Sequence, residues 1–299
     1  MPCYHPLTAW RSREKGKKGT LGVTFKIREG FSDLPVSLPC GQCVGCRLER
    51  SRQWAIRCVH ESSLHSENCF LTLTYDSAHL PPDGSLSLDT FQKFMKRLRK
   101  HFVPSPVRFF HCGEYGGKLD RPHYHVLLFG VDFIDKKPYN NGKLCISETL
   151  AKLWPFGFHT IGDVTFDSAA YVARYCLKKV TGDEAEAHYE TTDFVTGELT
   201  QRSKEYVTMS RRPGIGSMWY DKYSSETYRD DSVVMRGRSM RPPRFYDKRF
   251  ELEDSDAMGR VRLARRAKLS FDSSDARLAV QEEVASSKLS LSKRSFEND

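Results

Sequence analysis

Val107 to Gly130 reads VRFFHCGEYGGKLDRPHYHVLLFG, and the fold turns on how this stretch is read. Its two ends, VRFFHCGEYG and RPHYHVLLFG, have the aromatic and β-branched content of strands, and the loop between them holds Gly116, Gly117 and Asp120. Strands joined this closely pair antiparallel. Successive side chains on a strand point to opposite faces, so His123 and His125 share one face while Tyr124, Val126 and Leu128 occupy the other. Glu114, at the end of the first strand, is then within reach of both imidazoles. Two imidazoles and a carboxylate make a divalent-metal site that keeps open positions for substrate oxygens. The competing reading is a chance pair of surface or core histidines. Tyr124 carries a hydroxyl that must find a partner if it is buried.

Working outward, NCFLTLTYD (Asn68 to Asp76) is a further strand, followed by the turn PPDGS. LDTFQKFMKRLRKHF repeats Phe91, Phe94, Met95, Leu98 and Phe102 at helical spacing, with Asp89 as the expected N-cap. Downstream come a short helix (ISETLAKLW), a strand (FGFHTIGDVTF) and a helix (DSAAYVARYCLKKV) capped by Asp167 or Ser168. The order β-α-β-β-α-β plus one helix predicts an α+β fold with a ferredoxin-like, RRM-like antiparallel sheet. Such a sheet is expected to carry helices on one face and leave the other free for a site. Upstream lie a short strand (LGVTFKI), a cysteine turn, and a helix with Leu48, Trp54, Ala55, Cys58 and Leu64 near one face. Beyond residue 182 a hairpin (HYETTDFVTGELTQR) and the double proline of MRPPRF are expected. The resulting division is 1–67, a Cys-rich segment and helix; 68–182, the catalytic domain; 183–246, an extension of the core; and 247–299, a charged helical or mobile tail.

The 299 residues carry 47 Lys and Arg against 38 Asp and Glu, a net charge of +9. With 39% hydrophobic and 12% aromatic residues the chain is too apolar to be disordered. No apolar run approaches the ~18–20 residues of a membrane span, and MPCYHPLTAWRSREKGKKG lacks the apolar centre of a secretory signal. A soluble cytosolic protein is expected. The positive excess permits a polyanionic partner without proving one. Clustering says more: FQKFMKRLRKHF holds Lys93, Lys96, Arg97, Arg99 and Lys100 without an acidic residue. That face either tracks phosphates or is merely solvated.

Nine cysteines without a secretory segment argue against a disulfide framework. Cys40, Cys43 and Cys46 form CGQCVGC, whose two-residue spacers let thiolates converge on one ion, and zinc favours such a tetrahedral set. Cys3 or His5 would supply the fourth ligand. A reduced cysteine-rich turn is the alternative, and an iron–sulfur cluster fits three cysteines less well.

In YVARYCLKK, Tyr171 and Tyr175 are four apart on a predicted helix, so both phenols leave one face. They are either core aromatics or reactive groups. Ala169, Ala170, Val172, Ala173, Cys176, Leu177 and Val180 already supply apolar surface, which favours the second reading. Lys178 and Lys179 put cations near any phosphate that approaches. A phenol of pKa ~10 is a poor nucleophile unless phenolate or leaving group is stabilised, and a metal on the phosphate provides that help.

HYH on a strand, an upstream Glu, and a helix with two tyrosines separated by three residues resemble the HUH endonucleases that start rolling-circle replication. CGQCVGCRLERSRQWAIRC, NCFLTLTYD, CGEYGGKLDRPHYHVLLFG and DSAAYVARYCLKKVTG, in that order, are similar to the replication initiators of gokushoviruses, bacteriophages of the Microviridae. The resemblance runs from about Cys40 to Gly182. It implies that Glu114, His123 and His125 hold Mg²⁺ or Mn²⁺, and that Tyr171 or Tyr175, with Lys178, cleaves single-stranded origin DNA. A 5′-phosphotyrosine and a free 3′-hydroxyl would result, the second tyrosine closing the cycle by strand transfer and religation. It further implies work in the host bacterial cytoplasm with a host DNA polymerase and, since no GxxxxGK[ST] loop is present, a host helicase. Lys93, Lys96, Arg97 and Lys179 are the candidate DNA contacts.

Other residues rank below these. His111 and Asp120 flank the site or are solvated, and His159 has the ordinary profile of a structural histidine. Thr72, Thr74 and Tyr75 line the sheet, touching DNA or simply packing. Two other functions compete: a non-catalytic, zinc-bearing nucleic-acid-binding protein with core tyrosines, and a transposase or plasmid relaxase with the same site.

Overall fold

In the computed structural model, which describes residues 3–15, 21–116, 120–175, 185–192, 196–268 and 274–291 (Tyr175 in its backbone only), three short antiparallel strands come first. They are β1 (Leu7–Lys15), β2 (Leu21–Thr24) and β3 (Gly30–Leu38), in the order β2-β1-β3. Next follow α1 (Val44–Ser62), β4 (Asn68–Tyr75), α2 (Leu88–His101), β5 (Arg108–Tyr115) and β6 (Pro122–Phe129). Then come β7 (Lys137–Tyr139), β8 (Leu144–Ile146), α3 (Glu148–Leu153), β9 (Gly157–Gly162) and α4 (Phe166–Tyr175). A short α5 (Ala185–Tyr189) leads into the hairpin β10 (Glu190–Thr192) and β11 (Leu199–Gln201), and then β12 (Tyr206–Met209). The described chain continues with α6 (Ser217–Arg229), the hairpin β13 (Val233–Met235) and β14 (Arg238–Met240), α7 (Arg244–Glu253), α8 (Ser255–Ala267) and α9 (Asp275–Leu291).

Seven strands form one antiparallel sheet in the order β12-β5-β6-β4-β9-β8-β7. The inner four, β5-β6-β4-β9, are the four strands of the β-α-β-β-α-β pattern. The first and third lie side by side at the centre, as in a ferredoxin-like sheet. The α+β class and the element order thus stand.

The expectation of one free sheet face does not. On one side Leu71, Leu73, Tyr124, Val126 and Leu128 pack against Phe91, Phe94, Met95 and Leu98 of α2 and Leu150 of α3. On the other, Phe70, Phe110, Cys112, Leu127 and Phe129 pack against Ala55 and Cys58 of α1 and Ala169, Val172 and Ala173 of α4. The physical reason lies in the strands. Period two carries apolar residues on both faces over half of each strand, and bare apolar surface would stay wet at ~25 cal/mol per Å². Along the second face β4 changes from Phe70 to Thr72 and Thr74, β6 from Phe129 and Leu127 to His125 and His123, and β5 from Phe110 to Glu114. The helices cover the apolar half, and the polar half carries the candidate site.

Helix starts differ by a residue or two from expectation. Ser87, not Asp89, caps α2, its hydroxyl accepting from Thr90 N at 3.1 Å, while Asp89 pairs with Lys93 at 2.6 Å. Before α4, Thr165 and Ser168 cap reciprocally: Ser168 N donates to Thr165 Oγ1 at 3.1 Å and Thr165 N to Ser168 Oγ at 2.8 Å. Asp167 instead pairs with Arg236 at 2.8 Å.

α1 is anchored by two buried polar residues. Glu61 accepts from Arg108 Nε and, at 2.6 Å, from Gly216 N. His60 stacks on Trp219 with centroids 3.4 Å apart, and its Nδ1 is 2.9 Å from Tyr246 Oη. Asp247, where composition alone places the start of a tail, is buried inside α7. It accepts from Tyr228 Oη at 3.0 Å and from Arg265 of α8 at 2.7 Å. No helix among the described residues is long and apolar enough to cross a membrane.

The chain divides into two compact units. The larger, Ser51 to Arg266, contains the seven-stranded sheet. The smaller joins the described residues up to Arg50 with those from Ala267 onward. Its core is Tyr4, Cys43 and Leu278, flanked by Cys3, Cys40, Cys46 and Ala285, and His5 pairs with Glu282 of α9 at 2.6 Å.

Candidate metal and tyrosine site

Strand register assembles the site. Glu114 on β5 lies opposite His123 on β6, and His123 lies opposite Thr74 on β4. One step along, Cys112 faces His125, which faces Thr72. Directly opposed residues share a face, so two rows cross three strands on the α1/α4 side. His125 Nε2 lies 2.7 Å from Glu114 Oε1, and both side chains are buried, so the carboxylate has a partner where a lone buried charge would be untenable. On the other side Thr72 Oγ1 lies 3.1 Å from His125 Nδ1 and Thr74 Oγ1 lies 2.7 Å from His123 Nδ1. The two imidazole centroids are 6.5 Å apart.

Gly116 closes one end. A Cβ there would fall 2.5 Å from His123 Nε2, so only glycine lets the backbone approach that nitrogen so closely. The donor set, one carboxylate and two imidazoles anchored through Nδ1, has the chemistry for a borderline or hard divalent ion. As they stand, Glu114 and His125 meet each other directly. The cysteines are the one group of three or more potential ligands among the described residues whose ligand atoms all lie within 4.8 Å.

α4 brings Tyr171 to the same face. Its ring meets that of His125 edge-on, centroids 5.1 Å apart and planes at 83°, and that of Phe70 at 6.2 Å. Tyr171 is only 4% exposed and packs in the core with Val172 and Ala173, so it is both wall of the site and core residue. α4 ends at Tyr175. The side chain of Tyr175, and Lys178 and Lys179, lie outside the described residues.

The basic stripe of α2 lies elsewhere. Because Phe91, Phe94, Met95 and Leu98 pack on the opposite sheet face, Lys93, Lys96 and Arg97 are separated from the histidines by the sheet. Arg97 donates from Nε to Leu153 O at 3.0 Å and sits over the Phe156 ring, tying α2 to the α3 region. Tyr124 also faces away from the histidines, fully buried. Its hydroxyl donates to Ser87 O at 3.2 Å, accepts from Ser87 N at 2.8 Å, and lies 3.1 Å from Tyr75 Oη. His111 does not flank the site either. It stacks on Phe91 at 3.3 Å on the far face, bonded to Thr208 at 2.9 Å, and burial pushes its pKa well below the usual value. His159 accepts from Ser147 N at 3.1 Å, and Asp120 lies 3.5 Å from Arg202.

In the smaller unit Cys3, Cys40, Cys43 and Cys46 converge, so Cys3 and not His5 stands fourth. Backbone N–H groups already point at the sulfurs: Cys40 N at Cys3 Sγ (3.1 Å), Gln42 N and Cys43 N at Cys40 Sγ (3.4 and 3.3 Å), and Tyr4 N at Cys43 Sγ (3.4 Å). Burial opposes ionisation of Cys40, but the backbone donors overcome it and hold the thiol down to about 7, whereas burial pushes Cys46 up to about 12. This cluster is suited to a metal such as zinc.

Thr72 and Thr74, expected only to touch DNA or pack, instead meet the two histidines, and Gly116, expected only as part of a loop, crowds His123. Period-two alternation alone put both threonines on one face of β4. Which histidine each would meet depended on register, which no local pattern discloses.

A family model described as replication-associated protein ORF2/G2P matches residues 68–180. The replication-associated protein VP4 of Bdellovibrio phage phiMH2K is 34% identical over 259 residues, covering 82% of this chain and 76% of that protein. The replication-associated protein ORF2 of Spiroplasma virus 4 is 34% identical over 236 residues, covering 74% and 69%. ORF4 of Chlamydia phage 1, also a replication-associated protein, is 30% identical over 266 residues, covering 83% and 63%. No solved structure matches.

Proposed function

The chain belongs to the family of phage replication-associated proteins, and we propose that it initiates rolling-circle replication by nicking single-stranded origin DNA with a tyrosine. The observation that carries this reading is the edge-on contact of Tyr171 with His125, itself bonded to Glu114. It brings the tyrosine helix against the strand of the candidate metal ligands.

Glu114, His123 and His125 would hold Mg²⁺ or Mn²⁺, which when bound supplies a Lewis acid for the scissile phosphodiester. Tyr171 or Tyr175 gives up its phenolic proton and bonds through oxygen to phosphorus as the P–O3′ bond breaks. The departing oxygen takes a proton to become the 3′-hydroxyl that primes a host polymerase. One phosphoester replaces another, so the reverse attack rejoins the strand without a nucleotide cofactor. Lys178, three residues after Tyr175, would offset charge on the phosphate. Lys179 would add a phosphate contact, and Lys93, Lys96 and Arg97, on the far side of the sheet, would serve DNA away from the cut.

The cysteine cluster would hold a structural zinc. Residues 68–182 would be the catalytic domain, preceded by 1–67 and extended by 183–246; the stretch from 247, expected as a tail, begins in α7 and α8, which pack with the larger unit. A host helicase would separate the strands in the bacterial cytoplasm.

The test is an SDS-resistant adduct between the full chain and single-stranded oligonucleotides of its phage's origin with Mg²⁺ or Mn²⁺. The adduct is expected with wild type and absent in His123→Ala and in the double Tyr171→Phe/Tyr175→Phe variant. A second reading, a non-catalytic zinc-bearing DNA-binding protein, is favoured by the burial of Tyr171 and the closed cysteine set. Tight origin binding without any adduct would establish it instead.

A further inference from the structure

Both imidazoles lie across the sheet in one sense: Nδ1 toward β4, Nε2 toward the β5 side. His125 meets Thr72 at 3.1 Å through Nδ1 and Glu114 at 2.7 Å through Nε2. His123 meets Thr74 at 2.7 Å through Nδ1, and its Nε2 is the atom that crowds position 116. We infer that Thr72 and Thr74 are positioning residues that aim the two Nε2 atoms at a divalent ion. The inference rests on reading Glu114, His123 and His125 as a metal site, and deepens that reading.

The chemistry is specific to a hydroxyl at both positions. A histidine that ligates through Nε2 carries its proton on Nδ1 and needs an acceptor there. A threonine oxygen accepts that bond, and its branched Cβ restricts χ1 on a strand, so the acceptor is held in place. Because the partner is neutral, it leaves each imidazole a weaker donor than a carboxylate partner would. That suits a readily exchanged ion better than a permanently held one. The device also gives a reason for the change from Phe70 to Thr72 and Thr74 along this face of β4.

The test uses the full chain, with Mn²⁺ binding followed by the loss of the free-ion EPR signal and folding checked by thermal melting. Thr72→Val and Thr74→Val keep shape and remove the hydroxyl. Each is expected to weaken Mn²⁺ binding about 10- to 100-fold, the usual cost of losing an outer partner of a metal-bound histidine. Thr72→Ser and Thr74→Ser are expected to bind within about 3-fold of wild type, which packing alone would not produce, by the same outer-partner logic. Thr160→Val, on the neighbouring strand β9, should leave Mn²⁺ binding unchanged. If a valine variant fails to fold, the alanine variant at that position carries the comparison. Wild-type Mn²⁺ affinity in the valine variants, with binding lost in His123→Ala, overturns the inference and leaves the metal site standing. Unchanged Mn²⁺ binding in His123→Ala overturns both.

Discussion

Gly116→Ala separates geometry from stability at the candidate site. The added methyl would stand 2.5 Å from His123 Nε2 and 3.0 Å from Cδ2, where ordinary contact begins at 3.4 Å. The backbone can accept alanine, because Gly116 is not among the residues of positive φ. Its bonds to Arg121 O and from Asp120 N use main-chain atoms that the substitution keeps. The imidazole must therefore retreat, and Thr74 at 2.7 Å stands behind it. A retreat of about 1 Å at a reacting centre costs roughly 100-fold in rate. Stability should hardly move: losing the Thr74 bond costs about 1 kcal/mol, and replacing glycine returns ~0.4–1 kcal/mol through the unfolded chain. The assay pairs single-turnover adduct formation on an origin oligonucleotide with urea unfolding. A wild-type adduct rate in a folded Gly116→Ala protein would refute the placement of His123 Nε2 on the reacting side.

Three further outcomes are expected. Tyr124→Phe keeps the ring but strips the partner of Ser87 N and O; with Ser87 only half-buried and open to water, the cost in urea should be about 1–2 kcal/mol, and adduct formation should persist because Tyr124 faces away from the histidines. Burial holds His60 down to about 3 against 6.5 ordinarily, so the folded state binds fewer protons than the unfolded. Its contribution is whole above pH 6.5 and drains away as pH falls toward 3, by ~1.4 kcal/mol per unit, so His60→Gln should show a shallower loss between pH 6.5 and 5. Purified protein should carry about one zinc per chain, which Cys43→Ser should lower sharply; a wild-type preparation free of zinc would refute a zinc role for the cluster.

Much of this was legible in the residues themselves. Alternation along PHYHVLLF put His123 and His125 together, and hairpin logic brought Glu114 to them. What escaped was set by pairing between distant segments. Thr74 meets His123 across a sequence separation of 49, and local pattern cannot specify that register. Helical spacing correctly separated the apolar and basic faces of α2, yet said nothing about which side of the sheet the apolar face would choose. Lys93, Lys96 and Arg97 therefore lie across the sheet from the histidines. Nothing in the local pattern of α1 marks Glu61 and His60 as buried anchors, because their partners Gly216 and Tyr246 lie more than 150 residues on.

The small cysteine unit has a consequence for biosynthesis. Its core takes Tyr4 and Cys43 from the early chain and Leu278 from α9, and His5 and Glu282, 277 residues apart, are paired. A ribosome delivers α9 after every other described element. The sheet can therefore consolidate while the nascent cysteine segment still waits for its cover, since contacts so far apart in sequence form last. Premature termination before α9 would release a chain whose sheet is complete but whose cysteines stay open to oxidation or to a competing thiophilic metal.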